Sequence, residues 1–386
     1  MSIDVSKKGL SRVEELYKNR DARAREMKDE GEKIIGYLCS YTPVELMSAI
    51  DFIPYRITGD VEEPVVEADA YLETIMCPFV RSCFDLALKG KYDFLDGLVI
   101  PHSCDTIEKI YNIWRYHSPL PYFHFVNVPH MVTASSRQFF RQEIEMFKES
   151  LEGFAGRKIT PEALSQAIEV HNKNRAMLRE LYDLRKGDPP LISGTEITKL
   201  LVSGMTLPAV EFGQLISEVT DEVKDRQNPL ESKPARIMIF GSEIDDIALV
   251  KLIEDAGSHV VTDDLCTGTR NFRTDVAITE DPLNGLADYY VGEIKCPRSY
   301  AAKKGNVDED VMARFGYLLE YAKEFKVDGV ILYVIRFCDT YELDVPDVLD
   351  LLEKNGLPVL HIETDYNLTA IGQLQTRVEA FLEMID

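Results

Sequence analysis

The chain has 386 residues, 45% of them hydrophobic, which is ample for two or three domains with cores of their own. Its net charge of −23, from 43 basic against 66 acidic side chains, excludes nucleic acid and anionic membranes as the main partners. No run reaches the ~18 apolar residues of a membrane span, and the opening Met1-Ser2-Ile3-Asp4-Val5 lacks a signal peptide's apolar stretch, so a cytoplasmic protein is expected.

Residues 7–32 are charged and helix-permissive. The apolar run Ile34–Cys39 reads as a buried strand, and Thr42-Pro43-Val44-Glu45 opens a helix with a cap, a first-position proline and an acid in the first turn. Pro78 heads a second helix, directly after Cys77, through Phe84 to Leu88. Strands are expected at Leu98–Pro101 and Tyr122–Val126, which gives an open parallel sheet.

Residues 135–228 carry no strand signal. A helix starting at Ser135 or Ser136 runs through Phe154, and Thr160-Pro161-Glu162 caps another to about Arg185. Asp188-Pro189-Pro190 breaks it, and Ser193-Gly194-Thr195 starts the next. A second α/β unit begins at Ala235 with strand Arg236–Gly241 and a helix from Asp245 to Ala256 closed by Gly257. Strand Val260-Val261 leads to Asp263-Asp264-Leu265-Cys266. A helix over 308–326, strands at 329–337 and Pro358–Ile362, and a closing helix from Ala370 to Ile385 follow. The prediction is an α/β fold with two parallel-sheet units, 1–134 and 233–386, joined by a helical region, 135–232. The two units read as distant structural relatives.

Seven cysteines, an odd number, with no close C-x-x-C pair, speak against a disulfide framework, a zinc ribbon or a ferredoxin-type run. Three of them stand where an apolar segment breaks into a turn or helix start: Cys77, Cys104 and Cys338. The last two repeat one device, a strand-like run and then Cys-Asp-Thr. Ligands gather beyond the carboxyl ends of parallel strands, so these thiolates could converge on one [4Fe–4S] cluster with its fourth iron open to a small ligand or substrate. The bland reading, three buried apolar cysteines, has equal standing on spacing alone. His102 is the one histidine beside these cysteines, read either as a packing residue or as a group approaching the substrate. No H-E-x-x-H, G-x-S-x-G, G-x-G-x-x-G or P-loop motif occurs, so any ATP chemistry belongs to another protein.

Around these residues the chain resembles the 2-hydroxyacyl-CoA dehydratase/benzoyl-CoA reductase family, and its dehydratase-component D subunits in particular. The resemblance rests on Gly36-Tyr37-Leu38-Cys39-Ser40-Tyr41-Thr42-Pro43, Cys77-Pro78 and Pro101-His102-Ser103-Cys104-Asp105-Thr106. It continues through Asp263-Asp264-Leu265-Cys266-Thr267-Gly268-Thr269-Arg270, Phe337-Cys338-Asp339 and Glu363-Thr364-Asp365-Tyr366. It implies two Rossmann-like units and a [4Fe–4S] cluster on Cys77, Cys104 and Cys338. It also implies a related second subunit (or a homodimer) and a separate ATP-hydrolysing iron–sulfur activator. The implied substrate is an acyl- or aryl-CoA thioester, reduced by one electron to a ketyl radical. Ser40 matches the position where some members place a hydroxyl near the cluster; otherwise it is a helix-entry serine. Cys266 and Cys296 are a departure that resembles reductases with a double-cubane [8Fe–9S] cluster. Those use an additional neighbouring cysteine, where this chain reads Cys296-Pro297-Arg298, leaving Cys39 or Cys83 as substitutes. Three functions follow: a CoA-thioester dehydratase or aryl-CoA reductase, a double-cubane reductase of a small substrate, and an electron-transfer subunit that never touches substrate.

Overall fold

Short strands rich in Ile, Val, Leu and Phe pair into two four-stranded sheets in which every neighbour is parallel. The computed structural model describes residues 6–227, 229–301, 305–367 and 371–385. The first sheet holds β1 (Lys33–Tyr37), β2 (Phe52–Arg56), β3 (Gly97–Pro101) and β4 (Tyr122–Val126) in the order β2-β1-β3-β4. The second holds β5 (Ala235–Gly241), β6 (Ser258–Asp264), β7 (Gly329–Ile335) and β8 (Val359–Thr364) in the order β6-β5-β7-β8. The orders correspond strand for strand, so the chain contains two Rossmann-like units of one topology. Most strands are buried end to end, as sheets covered by helices on both faces require. One apolar core runs through both sheets, from Ile34 and Leu98 to Ile237 and Ile331.

Between the two sheets in sequence come four helices, Ala134–Ala155, Pro161–Asp183, Gly194–Gly204 and Ala209–Lys224. Thr133 and Thr160 cap the first two with their side chains, the first cap falling shortly before the serines expected to start that helix. Ser193 accepts from the Glu196 N–H at 3.1 Å while Glu196 accepts from the Ser193 N–H at 2.9 Å, a complete capping box. Ser193→Ala is expected to cost about 1 kcal/mol, read as an earlier urea midpoint by circular dichroism.

Several elements depart from expectation. Residues 7–32 form two helices, Gly9–Lys18 and Ala22–Asp29, and 308–326 divides at Gly316 into Val307–Phe315 and Tyr317–Glu324. The helix expected from Asp245 starts at Ala248, but Gly257 does adopt the left-handed φ of +107° that ends it. The closing helix is described over Ile371–Ile385; its expected first residue, Ala370, lies outside the described residues. Strand β2 has no counterpart among the expected elements because Pro54 interrupts it. It is an edge strand, where a missing N–H is tolerated.

Candidate functional site

The carboxyl ends of both sheets open onto one cavity. Six of the seven cysteines line it: Cys39, Cys77, Cys104, Cys266, Cys296 and Cys338. Topology explains the meeting. In each unit the chain leaves the first strand toward one neighbour and later returns on the other side, and loops diverge at that switch to leave a crevice. Cys39 follows β1 and Cys104 follows β3 at one switch; Ser242 follows β5 and Cys338 follows β7 at the other.

Local structure aims each sulfur. Cys77, Cys104 and Cys338 occupy the position just before the helices Pro78–Leu88, Asp105–His117 and Asp339–Glu342. Cys39 has φ +64°, and Phe337, just before Cys338, has φ +63°. Holding a non-glycine residue in this left-handed region costs about 1 kcal/mol, a strain that gathers at functional sites.

The six thiols lie close enough to feel one another's charge. Burial pushes Cys338 up, and Cys77, then Cys104 and, less, Cys296 add to it, against a hydrogen bond with Ser242. Burial likewise pushes Cys266 up, opposed by Arg270 and reinforced by Glu243, then Cys296 and Cys39. Burial raises Cys77 to about 11, against the N–H groups of Val80 and Phe79, and Cys104 to about 12, against that of Ile107. These are thiols that a bound metal would have to deprotonate.

Cationic groups compensate for that. Arg270 donates to Cys266 Sγ at 3.1 Å and pairs with Asp264 at 3.2 Å. Arg298 enters the cavity held by the carbonyls of Val128 and His102 at 2.9 and 3.0 Å. Arg56, at the end of β2, binds both oxygens of Glu243 at 2.8 and 2.9 Å, and both residues are buried at the cavity wall. No three His, Cys, Asp or Glu side chains among the described residues converge tightly enough for a single metal ion. An all-thiol set spread around a void suits a larger, soft-metal group such as an iron–sulfur cluster.

The other predicted residues fall elsewhere. Ser40 donates to the Cys266 carbonyl at 2.9 Å and lines a second cavity behind it. The His102 ring sits 3.3 Å from the Glu108 carboxylate and close to Phe125 and His130, outside the thiol lining. Cys83 is fully buried in the core of the first unit, as its place inside a helix suggests. Sequence reasoning missed Arg56 and gave Glu243 and Arg298 no role at this site. Arg270 stands in a quoted motif without a role, and its spacing of four residues from Cys266 is the one signal available.

Residues 39–385 match the family model described as 2-hydroxyglutaryl-CoA dehydratase, D-component. The chain belongs to this family. All six cavity thiols fall inside the matched span. The chain is 29% identical to a benzoyl-CoA reductase subunit of Thauera aromatica, over 97% of each chain. It is 29% identical to the (R)-phenyllactyl-CoA dehydratase beta subunit of Clostridium sporogenes, over 94% of each. Against the beta subunit of (R)-2-hydroxyglutaryl-CoA dehydratase from Acidaminococcus fermentans the identity is 27%, over 93% of this chain and 94% of that one. This D-component family member is thus an enzyme component of the dehydratase or reductase type. No helix among its described residues is long and apolar enough to cross a membrane.

Proposed function

We propose that this chain is the iron–sulfur catalytic component of a reductase in which all six cavity thiols hold a double-cubane [8Fe–9S] cluster. One observation carries the reading: six cysteines line one cavity. Cys77, Cys104 and Cys338 would hold one cube, and Cys39, Cys266 and Cys296 the other. Cys39 takes the part of the additional neighbouring cysteine that Cys296-Pro297 lacks. When bound, such a cluster supplies single electrons at low potential.

The protein residues then have definite tasks. Arg270, Arg298 and Arg56 offset the negative charge of buried thiolates, which water cannot do there. Helix-start N–H groups at Cys77 and Cys104 do the same with partial charges. Electrons would come from a separate ATP-hydrolysing iron–sulfur activator, since this chain carries no recognisable phosphate loop. The relatives are each named as one part of a larger enzyme, which supports a related second subunit.

A second reading keeps a single [4Fe–4S] cluster on Cys77, Cys104 and Cys338 in a CoA-thioester dehydratase or aryl-CoA reductase. The relatives' names favour it. Iron and sulfide counts on anaerobically purified protein separate the two: about eight irons per chain for the first reading, about four for the second. Four irons, with cluster spectra perturbed by acyl-CoA, would refute the double cubane.

A further inference from the structure

Strand β2 is the edge of the first sheet, and its open side is covered by the connecting helices, with the Arg56 N–H donating to the Met205 carbonyl at 3.0 Å. The cover is incomplete, and cavities follow one another along the strand. An outer cleft of about 580 Å³ lies at the start of β2, by Phe52 and Ile53. An inner chamber of about 130 Å³ lies beside its later half. The two share Pro54, His171 and Ala209 as common wall. The chamber and the thiol cavity share Arg56. Between them the partition is thin: Ser40 Oγ and Asn271 Nδ2, both lining the chamber, donate to the Cys266 carbonyl at 2.9 and 2.6 Å.

The chamber's chemistry selects its occupant. Its lining is mainly apolar, with Leu178, Leu201, Leu207 and Phe212 on the helix side. Every charge in it is already balanced: Arg175 pairs with Glu45 and Arg56 with Glu243. Burial drives the His171 pKa down to about 4, so its ring is neutral. A carboxylate would therefore lose its hydration with no spare cation to receive it. Of the donors, Asn174 Nδ2 is committed to the Ala209 carbonyl at 2.6 Å, and Ser40 and Asn271 are committed to Cys266. The Tyr37 hydroxyl, which burial keeps protonated, lines the chamber and has no hydrogen-bond partner among the described residues. A volume near 130 Å³ is close to the roughly 150 Å³ that accommodates one benzene.

We infer that this chamber is the binding site for a small uncharged substrate bearing one oxygen acceptor, such as a ketone or amide, which enters by the outer cleft past His171 and Ala209 and accepts a hydrogen bond from the Tyr37 hydroxyl. This deepens the reductase reading and rests on it, because a whole CoA thioester is far larger than the chamber.

The test uses cyclopentanone and butyrate, similar in size and different in charge, in calorimetric titrations of the anaerobic, cluster-loaded protein. Cyclopentanone is expected to bind at one site and butyrate at least about tenfold more weakly. Ala209→Trp plugs the neck and is expected to weaken cyclopentanone about tenfold or more, with iron content as in the parent protein. Ala209→Leu provides a smaller plug should tryptophan prevent folding, with a smaller loss in the same direction. Parent-like binding in both variants, or butyrate binding as tightly as cyclopentanone, overturns the inference. Iron counting is independent of this: about eight irons without ketone binding refutes the chamber alone, whereas about four irons with ketone binding refutes the double cubane and spares the chamber.

Discussion

Serine in place of Cys104 or Cys338 is expected to empty one cube and reduce iron to about half of the parent value, and serine at Cys266 or Cys296 is expected to do the same to the other. Serine oxygen is a harder donor than thiolate and is a poor substitute in an iron–sulfur site. Each loss is local because each cube would rest on its own three thiols of the single cavity. Cys83→Ser is the control. Its sulfur is fully buried among apolar side chains and away from the cavity, so the new hydroxyl lowers stability by about 1–3 kcal/mol and leaves iron unchanged. Colorimetric iron assays on anaerobically purified variants give the answer. Parent-level iron in Cys266→Ser and Cys296→Ser, with loss in Cys104→Ser and Cys338→Ser, would leave one cube on the first triad. Equal iron in Cys104→Ser, Cys338→Ser and Cys83→Ser would dismiss the ligand set.

Cys104 and Cys338 are legible in the sequence because their signal is local: an apolar run ends, Cys-Asp-Thr follows, and a helix begins. The structure keeps that order at β3 and β7, which hold the same place in their sheets. Cys77 is legible from Pro78, which marks a first helical turn. Cys39 reads in sequence as the last residue of a strand. In fact β1 ends at Tyr37, and the left-handed backbone at Cys39 turns its sulfur to the cavity. No local pattern announces that conformation at a non-glycine residue. Arg56 is lost with β2, since a proline argues against a strand unless the strand is known to lie at an edge. Edge position is a property of the assembled sheet. The chamber is invisible for the same reason, because its walls come from β2, the helix Pro161–Asp183, the turn after Gly194–Gly204 and the residues around 271 and 289.

Arg175→Met is expected to cost about 3–5 kcal/mol, the usual penalty for leaving one member of a buried pair uncompensated. Glu45 is fully buried in the helix Val44–Ser48 and is held by Arg175 and by the Tyr290 hydroxyl, which donates at 2.8 Å. Burial pushes its pKa up, but Arg175 and then His171 outweigh burial and hold it below the ordinary carboxylate value. A carboxyl depressed in the folded state adds stability above its unfolded pKa and loses that contribution as pH falls through the folded one. Without Arg175 the sign reverses. Burial then raises Glu45, the deficit is complete at neutral pH, and it shrinks on acidification as the carboxyl takes up a proton. Urea midpoints of Arg175→Met and parent protein should therefore converge as pH drops toward the carboxylate range. Adding Glu45→Gln removes the orphaned charge and should recover most of the loss at pH 7, because replacing both partners costs far less than replacing one. A deficit independent of pH, or no recovery in the double variant, would trace the loss to packing around the ring of Tyr289, over which the Arg175 guanidinium lies at 4.6 Å.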